Sequence, residues 1–247
     1  MTNRLETGHA KNVANFSTLI SIVKGFNATY NPSKPSIALT ALTTLKTKAD
    51  ATMTNVNALQ GTYSTAIANR EKTFDPLSKL TTRVVNALRS TDAPKPAIRS
   101  AESIMRKIQG RRATPKKSTE EIAASETESP AAKQISSSQM GFDNRIANFD
   151  RLIQLLTTVS LYAPNEADLK IASLTTLFQS LQSVNALAVN AETNLDKARI
   201  ARNEVLYQES TGMVDTATAV KFYVKSVFGA TSPQYKQVAA LTFKSLL

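Results

Sequence analysis

The stretch RIANFDRLIQLL at residues 145–156 restates NVANFSTLISIV at residues 12–23, about 133 positions earlier. An apolar stripe that recurs at such a distance limits the chain more than any single motif, because both copies must bury the same face. In the first copy Val13, Phe16, Leu19, Ile20, Ile22, Val23 and Phe26 share one side at 3.6-residue spacing. In the second, Ile146, Phe149, Leu152, Ile153, Leu155, Leu156 and Val159 repeat that side, with Asp150, Arg151 and Gln154 facing away.

The match continues in order along the chain. Tyr30, Asn31 and Pro32 precede LTTL at 42–45, and Tyr162, Ala163 and Pro164 precede LTTL at 174–177. VNA at 56–58 answers VNA at 189–191, and IANRE at 67–71 answers IARNE at 200–204. Pro96 then aligns with Pro233, which sets Arg99 on Lys236, Ile104 on Leu241 and Lys107 on Lys244. The offset drifts by only about five residues, as indels confined to loops would leave it. The expected fold is therefore all-α: two tandem helical-bundle repeats of about four helices each, one of them long, in a pseudo-two-fold relation. The expected organisation is repeat 1 over 1–110, a flexible linker over 111–141 and repeat 2 over 142–247.

Each repeat parses into the same elements. The first helix stops before Pro32 or Pro164, since proline disfavours a helical residue ahead of it. A long helix is predicted over about 36–74 and again over 166–208, each roughly 55–65 Å at ~1.5 Å per residue. In the second, Leu174, Leu177, Leu181, Val184, Ala188, Ala191, Leu195, Ala198 and Val205 fall on alternating three- and four-residue steps, interrupted by Arg202. That is a coiled-coil seam, weakened by its small residues. Gly61 is expected to interrupt the first long helix, at about 1 kcal/mol relative to alanine. Shorter helices follow over 77–90, 96–109, 211–228 and 233–246. Ser232 before Pro233, and Asp92 ahead of Pro94, carry helix-start chemistry. The stretch 110–140 is rich in Ser, Thr, Ala and Glu without sustained periodicity, and reads as linker.

Chemistry is constrained by what the chain lacks. With no cysteine there are no disulfides, thiolate metal sites or thiol nucleophiles. The single histidine, His9, lies in a polar N-terminal segment and reads as a solvated residue. A carboxylate-bridged bundle metal site needs Glu-x-x-His motifs, and a Ser/His/Asp triad would have to use that same histidine. No glycine-rich phosphate motif occurs. Neither catalytic residues nor metal ligands are expected, and no cofactor. No apolar run reaches the roughly 18–20 residues of a membrane span, and the polar start has no signal-peptide pattern, so a soluble cytoplasmic protein is expected.

Two sets of residues remain. Asn15 and Asn148 lie at the edge of the apolar stripe, and Asn57 and Asn190 recur in both copies. Buried amides there would bond each other or a nearby carbonyl and fix register; a ligand contact is the other reading. The net charge of +11 is uneven: residues 1–120 hold 19 Lys and Arg against 7 Asp and Glu, whereas residues 121–247 hold 11 against 12. Arg99, Arg106, Lys107, Arg111, Arg112, Lys116 and Lys117 form a cationic tract. Such a tract suits either a solvated helix end beside its dipole or contact with a polyanion.

The segment KFYVKSVFGATSPQYKQVAAL at 221–241, with the duplicated helical layout, resembles uncharacterised all-α proteins of Bacteroidota. The resemblance covers the second copy best, implies a helical fold and carries no activity with it. The expected function is a non-enzymatic helical scaffold or protein-interaction protein, acting through a protein partner or self-association. The alternative is a basic adaptor that binds nucleic acid or another polyanion through residues 99–117.

Overall fold

A computed structural model describes residues 3–111 and 140–245, with side chains from residue 8 onward. The described residues are helical and contain no strand. In chain order the helices are α1 (Asn3–Gly25), α2 (Leu39–Phe74), α3 (Leu77–Arg89), α4 (Lys95–Gln109), α5 (Phe142–Thr157), α6 (Ile171–Tyr207), α7 (Met213–Phe228) and α8 (Pro233–Ala239). Short 3-10 turns, Pro35–Ile37 and Ala167–Leu169, precede the two long helices. Most of the linker, residues 112–139, lies outside the described residues.

The chain divides into two compact units whose boundaries differ from those expected. One unit comprises Met1–Ser64 with Asn190–Leu247, and the other is the contiguous Thr65–Val189. Residues 1–110 and 142–247 are thus not the compact units; each contributes helices to both. The physical reason lies in which helices close each apolar face. In the first unit α1 packs on α7 and α8, burying Val13, Phe16, Leu19 and Val23 with Met213, Val220, Val224 and Val238. In the second unit α5 packs on α4, and α4 on α3, burying Phe149, Leu152 and Leu156 with Val84, Leu88, Ala101 and Ile108. A fully buried Leu or Phe side chain is worth about 1.5–3 kcal/mol relative to exposure, so each unit depends on helices drawn from both of the expected repeats.

Several local expectations meet different outcomes. α2 runs unbroken through Gly61, where a side chain would find open space. Ser232 caps α8 by accepting a hydrogen bond from the Tyr235 backbone N–H at 3.1 Å, but α8 ends at Ala239. Asp92 does not cap α4, whose N-terminus carries no side-chain cap. α4 closes at Gly110, in the left-handed conformation with φ 68°. There the Arg111 N–H donates to the Arg106 carbonyl at 2.8 Å, which satisfies the helix end as glycine-terminated helices do.

The seam of α6 is buried at Leu174, Leu181, Ala188, Ala191, Leu195 and Ala198, and Arg202 continues it inside the protein. Within the first unit Leu195 and Ala198 pack on Val56 of α2, flanked by Leu59 and Tyr63. Within the second, Asn185 accepts from Arg70 at 3.3 Å and donates to Asp143 at 2.7 Å. The Arg70 guanidinium lies 4.1 Å from the centre of the Phe142 ring, and Phe142 meets Phe74 edge-on.

The unit boundaries lead to a direct expectation. A fragment of residues 65–189 should unfold cooperatively on heating, because both sides of its core are present. Fragments 1–110 and 142–247 should melt without a cooperative transition, each keeping only one side of both cores. Circular dichroism melts of the three fragments check this; cooperative unfolding of 1–110 alone would contradict the assignment.

Candidate functional site

The chemistry-bearing groups of the second unit converge where α3 meets the loop leading into α6. The loop is closed on itself by Tyr162, whose hydroxyl donates to the Leu169 carbonyl at 2.8 Å across seven residues. Pro164 fixes its own φ in this loop, and the Ala167–Leu169 turn packs back on α3. Arg83 of α3 reaches the same turn and holds Asp168 with both terminal guanidinium nitrogens, the Nη2 bond at 3.2 Å. The pair raises the Arg83 pKa and lowers that of Asp168, chiefly through these hydrogen bonds. Both groups are exposed, so the pair orients the loop more than it stabilises the fold.

Between loop and helix lies a cleft of about 490 Å³. One wall is Arg83, Asn86, Ala87, Ser90 and Thr91; the other is Tyr162 to Glu166, with Leu169. Ser90 and Thr91 donate their hydroxyl protons to the Ala87 and Leu88 carbonyls, at 2.8 and 2.7 Å, which leaves oxygen lone pairs for other donors. Asn86 already accepts from Arg89 at 3.2 Å, and Arg89 forms an ion pair with Glu102. Burial pushes the Tyr162 phenol up to about 12, with Glu166 and Asp168 adding to the effect.

Of the groups at this cleft Arg83 is paired with Asp168, Glu166 is exposed and forms no ion pair among the described residues, the hydroxyls are engaged locally, and the phenol stays protonated across physiological pH. Among the described residues no cluster of three His, Cys, Asp or Glu side chains could hold a metal ion.

The sequence-derived candidates fall elsewhere. Arg99, Lys107 and Arg111 are exposed on or just beyond α4, and Arg106 is half-buried in its last turn. Arg112, Lys116 and Lys117 lie outside the described residues. Asn15 donates to the Thr242 carbonyl at 2.7 Å within the first unit. Asn148 is buried in α5, 2% exposed. Asn57 and Asn190 are exposed, contrary to a buried register role: each lies about 100° around its helix from a buried neighbour, Val56 or Ala191. Asn185 occupies the interior position instead.

His9 also departs from expectation. It is not solvated but buried, 2% exposed, because α1 extends back to Asn3 and places it one stripe position before Val13. Its Nδ1 lies 2.5 Å from the Tyr207 hydroxyl. Asn12, which sequence reasoning passed over, donates to that hydroxyl at 3.2 Å and to the Lys244 carbonyl at 2.7 Å, and accepts from the Lys244 N–H. Both were visible as continuations of the 9, 12, 16, 19, 23 periodicity, masked by their polarity.

No helix among the described residues is long and apolar enough to cross a membrane. In comparisons with known protein families, curated proteins and solved structures, nothing matches this chain.

The raised phenol pKa gives a signed pH dependence. A group more basic in the folded state contributes stability that is intact below the unfolded value, about 10, and lost as pH rises toward 12. Tyr162→Phe should cost about 1 kcal/mol at neutral pH through the lost buried hydrogen bond. It should also flatten the alkaline fall in stability between pH 9.5 and 11.5, measured by urea melts at each pH. An unchanged alkaline slope would contradict the burial of this phenol.

Proposed function

We propose that this chain is a non-enzymatic protein-interaction module built from an internal duplication, and that the cleft of the second unit is where it takes hold of a partner. The observation that carries the reading is the cleft itself: about 490 Å³, walled by hydrogen-bonding groups and clamped at its rim by the Arg83–Asp168 ion pair.

The duplication is supported by burial. Phe16 and Phe149, Leu19 and Leu152, Leu42 and Leu174, Ala49 and Leu181, Val84 and Val220, and Ala101 and Val238 are all fully buried in corresponding places. Both loop tyrosines bond a carbonyl seven residues on, Tyr30 to Ile37 at 2.7 Å and Tyr162 to Leu169 at 2.8 Å. In this reading the copies have exchanged partners: α1 of one lies with α7 and α8 of the other, and α5 with α3 and α4. Scaffold and coiled-coil character belong to the same reading, as does kinship with duplicated helical proteins of Bacteroidota.

Ser90→Arg and Asn165→Arg should abolish capture of the partner from cell extract by the full chain, while its thermal midpoint moves by less than about 2 °C. A chain that captures nothing and stays monomeric in sedimentation overturns the reading.

A second reading rests on a separate observation. Arg99, Lys107 and Arg111 are exposed and form no ion pair among the described residues. A polyanion bound there should dissociate steeply with salt, and reversing Arg106, Lys107, Arg111 and Arg112 should remove several charges from the slope of log K against log salt. Absent or salt-independent binding to DNA and RNA in filter assays excludes it.

A further inference from the structure

The two units solve one packing problem differently, and the difference says what the cleft is shaped to hold. In the first unit, Tyr223 of α7 stands edge-on to Tyr30, ring centres 5.2 Å apart and planes at 90°. Its hydroxyl accepts a hydrogen bond from the Asn31 backbone N–H at 3.0 Å. The loop tyrosine, the backbone amide after it and the phenol of the facing helix thus form one assembly.

In the second unit two of those three parts are present. Tyr162 takes the place of Tyr30, with the same seven-residue hydroxyl-to-carbonyl bond. Ala163 takes the place of Asn31, lines the cleft, and its N–H finds no acceptor among the described residues. The third part is missing. α3 and α7 align through pairs that are each fully buried: Leu77 with Met213, Val84 with Val220, Leu88 with Val224. That register places Ala87 where α7 carries Tyr223, and Ala87 lines the cleft opposite Tyr162. The cleft is therefore the space a phenol ring fills in the first unit.

We infer that the cleft of the second unit binds a phenol side chain, the tyrosyl group of a partner, edge-on to Tyr162 with its hydroxyl on the Ala163 N–H. This rests on the interaction-module reading for the source of the tyrosine, but not for the chemistry of the site. An edge-on aromatic pair adds about 0.5–1.5 kcal/mol beyond area burial, and the exposed Ala163 amide would exchange solvent for the phenol oxygen. A lone phenol should bind at millimolar strength, since a small ligand has few atoms to set against the entropy of association.

The test is titration of the ¹⁵N-labelled full chain with p-cresol, read from backbone amide shifts. Saturable shifts at Ala163 and Thr91 are expected, with toluene, which lacks the hydroxyl, roughly fivefold weaker. Ala87→Tyr, which supplies the ring from within, should abolish them. The reciprocal Tyr223→Ala should create a second site, seen as a new cresol-dependent shift at Asn31, and decides the matter if Ala87→Tyr does not fold. No saturable shift at Ala163, equal binding of toluene, shifts that survive in folded Ala87→Tyr, or no new site in Tyr223→Ala would each overturn the inference. Cresol binding with no Ala87→Tyr-sensitive partner in cell extract would support the phenol site and count against the interaction module alone.

Discussion

An amphipathic helix cannot cover its own apolar face, and in this protein the helix that covers it comes from the far end of the chain. α1 exposes Val13, Phe16, Leu19 and Val23 on one side, and α7 and α8 bury them. The polar seam bonds follow the same route. Asn12 reaches Tyr207 and Lys244, and Asn15 reaches Thr242, so each spans more than 190 positions. Hydrophobic area supplies the driving force of this closure; the amides decide where along α1 the returning segment comes to rest. A slip of one residue would leave Asn12, 3% exposed, with an amide desolvated and unbonded, at about 1–3 kcal/mol.

That constraint explains which parts of the fold were legible in the sequence. Periodicity located α1, α5 and the seam of α6 because a stripe reports that a face is buried. It does not report by what. Two helix pairs could cover α1, α3 with α4 and α7 with α8, and nothing in a hydrophobic pattern chooses between them. The expected bundles paired α1 with α3 and α4 and α5 with α7 and α8, whereas the compact units pair α1 with α7 and α8 and α5 with α4 and α3. Buried polar residues were obscured for a related reason. His9, Asn12 and Asn185 sit on stripe positions, yet their polarity removes them from a hydrophobic pattern; Asn57 and Asn190 recur in letters but lie off the stripe.

The cleft was illegible on other grounds. None of its residues forms a recognisable motif, and Tyr162 spends its hydroxyl on a backbone carbonyl of its own loop. What makes the place a cleft is a side chain that is absent, Ala87, judged against a position 136 residues away. Only the buried register of α3 and α7 makes that comparison possible, since the two helices share little sequence.

The difference between the two loops is concentrated rather than diffuse. Their closing hydrogen bonds agree to within 0.1 Å, and the buried anchors beneath them, Ile37 and Leu169, are each 4% exposed. The anchors match, one helix face carries a ring and the other an alanine, and the alanine side also carries the Arg83–Asp168 pair that ties the loop to its helix. In the first unit Tyr223 itself ties loop to helix, through the Asn31 N–H. In the second, an ion pair at the rim does that work and leaves the centre open. A rim clamp in place of a filling ring keeps the loop placed without occupying the space beneath it.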